Sequence, residues 1–145
     1  MSGSTTMEIG IIGLGNAGKP IAERLLKKGR RIKVYDLNRV PMEDLAKLGA
    51  VTSGSAGEAL GDITLIVLPS TIEVRSAALG EKGFLAALRP GSVLVDLSGT
   101  DPGYARELEK QCDERNADFL GATLHASGAW TKASPSPSSF WRMKP

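Results

Sequence analysis

The 145 residues are 41% hydrophobic, 23% charged and only 5% aromatic, the composition of an ordinary folded domain rather than a disordered or fibrous chain. A single domain is expected, since a chain of this length buries roughly 70% of its unfolded surface without staples; the lone Cys112 excludes an internal disulfide framework or a multi-cysteine metal site and points to a reducing compartment, the cytoplasm. Lys132, Arg142 and Lys144 fall in the last 15 residues with no acid, so the remainder carries 15 basic against 16 acidic residues and offers no basic stripe to a nucleic acid.

Residues 1–6 read as a tail. Met7 to Gly15 (MEIGIIGLG) is short, apolar and β-branched, the pattern of a buried parallel strand running into a glycine-rich turn. Ile21, Ala22, Leu25 and Leu26 then share one helical face, Glu23, Arg24, Lys27 and Lys28 the other, and Gly29 stops the helix. Arg31 to Tyr35 predicts a second strand leading to Asp36, and Pro41 to Leu48 a second short helix closing near Gly49. Two further apolar strands, Ile63 to Leu68 (ITLIVL) and Ser92 to Leu97 (SVLVDL), are separated by helix-like stretches at Thr71 to Ala78 and Gly83 to Leu88.

Asp101 to Arg115 predicts the last helix, with Thr100 or Asp101 as cap and Pro102 at its first position. Tyr104, Leu108 and Cys112 recur every fourth residue on one face, which makes Cys112 a packing residue. Asp118 to Gly121 fits one more strand. Strand and helix alternate throughout, so the expected class is α/β, a doubly wound parallel sheet with right-handed crossovers.

After about Ser127 the pattern stops. Thr131 to Pro145 (TKASPSPSSFWRMKP) has four serines, three prolines and no acid, and both tryptophans, Trp130 and Trp141, lie in the last 16 residues. No run reaches the roughly 18 apolar residues of a membrane span, and Met1 to Glu8 lacks the basic-then-apolar order of a secretion signal.

The chemistry concentrates at Gly13, Gly15 and Gly18, a G-x-G-x-x-G between the first strand and first helix. In that context Gly13 permits a tight turn, Gly15 lets backbone approach a pyrophosphate, and Gly18 lets helix and strand pack closely. A glycine turn needed only for packing is the competing explanation. Asp36 follows Gly18 by 18 residues and suits hydrogen bonds from adenosine ribose hydroxyls, which favours NAD because a carboxylate repels a 2′-phosphate. Arg39 is either a surface charge or a partner for such a phosphate, which keeps NADP open. A methyltransferase also places an acid after its second strand.

GLGNAGKPIAERLLKKG (Gly13 to Gly29), VLPS (Val67 to Ser70), ALGEKGFLAALRPGSVLVDLSGTDP (Ala78 to Pro102) and FLGA (Phe119 to Ala122) together resemble the amino-terminal domain of the β-hydroxyacid dehydrogenases. That family includes 3-hydroxyisobutyrate dehydrogenase, tartronate semialdehyde reductase and 6-phosphogluconate dehydrogenase-like proteins. The resemblance runs from Met7 to about Ala122 and sets the methyltransferase aside. It implies that Leu14, Asn16 and Ala17 contact the pyrophosphate and that Leu68 and Pro69 line the cofactor near ribose and nicotinamide. Ser98 falls on the first residue of the family's Ser-Thr or Ser-Ser pair, a contact for cofactor and substrate. Gly99 falls on the second, so the hydroxyl that touches the nicotinamide side is missing.

Relatives continue with Asp-Ala-Pro-Val-Ser-Gly-Gly, whose serine and glycines bind the substrate carboxylate, where this chain has Gly121 to Gly128 (GATLHASG). His125 stands at the serine's position and reads as a loop histidine without a catalytic role. Ser127 and Gly128 form a displaced Ser-Gly pair, which makes Ser127 a candidate substrate contact. The family's catalytic lysine belongs to a second, helical domain; Lys132 and Lys144 match no motif, so no catalytic residue and no metal site is assigned.

The resemblance therefore implies a Rossmann-type NAD(P)-binding domain over 7–128, followed by an irregular, out-of-frame tail over 129–145. The expected cofactor is NAD, with NADP open, and the expected reaction is hydride transfer between nicotinamide and a small β-hydroxy acid. The chain is expected to be truncated or frame-shifted and inactive alone, with no nucleic-acid or membrane partner and with self-association through the exposed domain interface. The alternative is a stand-alone dinucleotide-binding or sensing module without catalysis.

Overall fold

Adjacent β-branched residues divide the interior between two faces. Because successive strand residues point to opposite sides of a sheet, Ile11 and Ile12, both essentially inaccessible, enter two different clusters of buried side chains. The structure is a computed structural model and describes residues 6–124. Its elements are β1 (Glu8–Ile12), α1 (Gly18–Lys27), β2 (Arg31–Tyr35), α2 (Arg39–Lys47), β3 (Val51–Thr52), β4 (Ile63–Ile66), α3 (Thr71–Ala78), α4 (Phe84–Ala87), β5 (Val93–Asp96), α5 (Pro102–Asp113) and β6 (Asp118–Gly121).

The six strands form one sheet in the order β3-β2-β1-β4-β5-β6, and every pairing along it is parallel. On one face Ile11, Ile32, Val34 and Leu45 pack with Ala22 and Met42, joining α1 and α2 to the sheet. On the other, Ile12, Ile66 and Leu94 pack with Val74, Phe84, Tyr104 and Leu108 of α3, α4 and α5. The doubly wound parallel sheet expected from the sequence is what forms. Its order reverses between β1 and β4, and this is where open α/β sheets leave a crevice beyond their carboxyl ends.

Several boundaries differ from the sequence reading. The first strand ends at Ile12, and the following glycines form the turn alone. The second helix starts at Arg39 instead of Pro41, because the Asn38 side chain accepts from the Val40 N–H and caps it two residues earlier. Gly83 flanks α4 as its N-cap, leaving four helical residues. The edge strand β3 has only two residues, both exposed, too few to register as a periodic run.

Of the two caps proposed for the last helix, Asp101 takes the role. Its Oδ2 accepts from the Gly103 and Tyr104 N–H groups at 3.1 and 3.2 Å. The Thr100 hydroxyl is buried and, among the described residues, has no partner. Cys112 is fully inaccessible, and burial pushes its thiol up to about 12, consistent with packing. His125, Ser127, Gly128, Lys132, Lys144 and the tail over 129–145 lie outside the described residues, as does the end of the proposed 7–128 domain.

Candidate functional site

The three loop glycines are glycines for different reasons. Gly13 has φ +100°, and a Cβ there would stand 2.1 Å from the Val67 carbonyl oxygen; its N–H donates to the Tyr35 carbonyl at 2.9 Å. The turn thus threads between the ends of β2 and β4, where no side chain fits. A Cβ on Gly18 would lie 1.9 Å from the Gly13 carbonyl oxygen, so α1 packs directly on the turn. Gly15 is exposed, lies outside the left-handed region and has nothing within 4 Å of an added Cβ. Packing accounts for Gly13 and Gly18 but gives no reason for Gly15, whose open space suits a group from outside the chain.

The adjoining helix end has the matching electrostatics. The N-cap of α1 is Ala17, which offers no side-chain acceptor, and its first turn contains no acid. Among the described residues, the N–H groups of Gly15, Asn16, Ala17 and Gly18 have no acceptor, whereas Asn38 and Asp101 cap α2 and α5. Unsatisfied donors at a positive helix end form an anion-binding surface. Together with the free space over Gly15, these residues fit a pyrophosphate.

Asp36 is fixed beside this loop at the end of β2. Its Oδ2 accepts from the Leu14 N–H and its Oδ1 from the Asn38 N–H, each at 2.7 Å. A carboxylate has about four acceptor positions, so two remain for hydroxyl donors. Arg39 is exposed at the start of α2 and forms no ion pair among the described residues.

On the other side of the crevice the Leu68 N–H donates to Ser98 Oγ at 2.9 Å, while Ser98 Oγ donates to the Ile66 carbonyl at 3.2 Å. The Ser98 N–H donates to Asp96 Oδ1 at 2.9 Å, and Ser98 bridges Thr123 in antiparallel fashion. Ser98 therefore joins the exits of β4, β5 and β6. Pro69 follows Leu68 and is exposed. Gly99, also exposed, has φ +68° and nothing within 4 Å of an added Cβ.

Gly13 to Gly18, Asp36, Leu68, Pro69 and Ser98 thus gather at the carboxyl ends of β1, β2, β4 and β5. The sequence reading missed the groove of about 420 Å³ that runs from Gly15 and Asn16 past Lys19 to Asn38 and Pro41. It also missed Leu37, 89% exposed immediately after Asp36; a large apolar residue between a strand-end acid and a helix cap is the signal available in the sequence. Among the described residues, no group of three or more His, Cys, Asp or Glu is arranged to hold a metal ion, and no helix is long and apolar enough to cross a membrane.

Residues 8–140 match the family described as the NAD binding domain of 6-phosphogluconate dehydrogenase. A probable mitochondrial 3-hydroxyisobutyrate dehydrogenase of Dictyostelium discoideum is 37% identical over 122 residues, which cover 83% of this chain and 38% of the relative. An NAD-dependent L-serine dehydrogenase of Pseudomonas aeruginosa is 32% identical over 128 residues, covering 87% and 43% respectively. The solved structure of Mycobacterium tuberculosis 3-hydroxyisobutyrate dehydrogenase with L-serine superposes with a TM-score of 0.74 at 27% identity, covering 83% of this chain and 41% of that one. The chain spans about two-fifths of the length of these relatives.

Proposed function

The chain belongs to the family of the NAD binding domain of 6-phosphogluconate dehydrogenase, and from that premise we propose that it holds the dinucleotide for a dehydrogenase of the 3-hydroxyisobutyrate dehydrogenase type. The observation that carries this reading is the open space over Gly15 beside four N–H groups without acceptors. The backbone from Gly13 through Leu14, Asn16 and Ala17 to Gly18 would hold the pyrophosphate, and Asp36 the adenosine ribose hydroxyls. Leu68 and Pro69 would line the ribose and nicotinamide.

When bound, an oxidised nicotinamide would accept the carbinol hydride of a small β-hydroxy acid, and the reduced form would return it to the corresponding oxo acid. Ser98 helps to orient that end of the site: its proton is committed to Ile66 and one lone pair to Leu68, which leaves one lone pair for cofactor or substrate. Asp36 supports NAD over NADP, because a fixed carboxylate opposes a 2′-phosphate. The resemblance supplies its acid-base lysine from a helical domain matched by no described residue; on this reading the 145 residues bind without turning over. Ile72 on α3 and Leu79 at its end, 78% and 57% exposed, support self-association through that face. The single buried Cys112 supports a reducing compartment, the cytoplasm first.

Calorimetric titration with NAD+ tests the binding reading, and a hydride-transfer assay over a panel of β-hydroxy acids tests the second half. Saturable binding at one site per chain without turnover is expected; no binding at millimolar NAD+ would contradict the proposal.

A further inference from the structure

Lys19 Nζ and Asp44 Oδ2 stand 2.8 Å apart, joining the first turn of α1 to α2, with side chains 33% and 42% exposed. Exposed pairs of this kind contribute little to stability, so the position of this one is what matters. Lys19 lines the groove beside Gly15 together with Leu14, Asn38 and Glu23. The N–H groups of Leu14 and Asn38 are also the two donors that fix Asp36. The groove therefore opens directly beside the carboxylate read as the ribose acceptor, and among the described residues Lys19 is the one cation on its wall.

We propose that Asp44 is a cofactor-selectivity residue acting through Lys19. By drawing the ammonium onto α2, Asp44 keeps it from offsetting the Asp36 charge and so disfavours a dinucleotide carrying a 2′-phosphate. The inference rests on the dinucleotide-binding reading above. It differs from a general preference set by Asp36, since it assigns part of the discrimination to a positioning residue that touches no ligand. Each partner's hydrogen bond holds the other in its charged form, with Lys19 raised and Asp44 lowered from their ordinary values, so the pair persists at neutral pH.

The test is calorimetric titration of the full chain with NAD+ and with NADP+, for the native sequence, D44N, K19M and the double variant. At low salt D44N should tighten NADP+ binding about threefold to tenfold while NAD+ changes by less than about twofold, the scale of one partly screened charge. The gain should fade at about 0.5 M salt and be absent in K19M/D44N, and K19M alone, which leaves the Asp44 carboxylate uncompensated, should not raise NADP+ affinity relative to NAD+. The inference is overturned if D44N shifts both dinucleotides equally or neither, or if the gain survives removal of Lys19. A native chain that binds neither dinucleotide overturns the proposed function itself, and with it this inference.

Discussion

The amide of Leu68 donates to the hydroxyl of Ser98 at 2.9 Å across 30 residues of sequence. The same hydroxyl donates its own proton to the Ile66 carbonyl, so one serine ties together the chain just beyond the paired ends of β4 and β5. The wall of the crevice that carries Leu68 and Pro69 is therefore set by a side chain two residues beyond the end of the neighbouring strand β5.

Ser98→Ala leaves the half-buried Leu68 N–H and Ile66 carbonyl without that partner. A loss of about 1–3 kcal/mol is expected, seen as a drop of several degrees in Tm by differential scanning calorimetry. An unchanged Tm would show that the hydroxyl does not hold the two strands together.

Asp36→Ala removes the acceptor of two 2.7 Å bonds from backbone N–H groups. Affinity for NAD+ should fall about tenfold or more, with a smaller loss for NADP+, so the ratio between the two narrows. Equilibrium dialysis against both dinucleotides reads the outcome, and equal losses for the two would remove Asp36 from the account of selectivity.

Burial holds the Cys112 thiol neutral, raising it from 9.0 to about 12. A raised acid binds more protons folded than unfolded between those values, so stability falls as pH rises. This contribution is complete below about pH 9 and is lost as pH climbs toward about 12. Urea melts across that window should show a declining midpoint, and a disulfide-exchange reagent at neutral pH should react with Cys112 only after unfolding. Prompt labelling of the native protein would contradict its place in the core.

Much of this architecture is legible in the chain because it depends on local pattern. The apolar runs Met7 to Gly15, Arg31 to Tyr35, Ile63 to Leu68 and Ser92 to Leu97 each hold a strand, three of them shorter than the run, and the glycine spacing marked the first turn. Local pattern also carried Asp36 to the correct strand end. What was hidden depends on contacts distant in sequence. Val51 and Thr52 pair with Lys33 and Val34 but form too short a run to show a period. Ser98 is defined by partners 30 and 32 residues away. Lys19 and Asp44 each look like ordinary solvent-facing charges until two helices are packed side by side. Between Thr100 and Asp101 the sequence offered two caps of similar chemistry, and the backbone path alone selected Asp101.

The most direct test of the central claim is Gly15→Val, followed by thermal melting and by titration with NADH using the cofactor's fluorescence. An added Cβ meets nothing within 4 Å, so the melting temperature should stay within about 2 °C of the native value. Binding should weaken by about 100-fold or more, because the side chain occupies the space read as the pyrophosphate's. A variant that folds like the native protein and binds NADH equally well would contradict the account, since Gly15 would then guard no ligand.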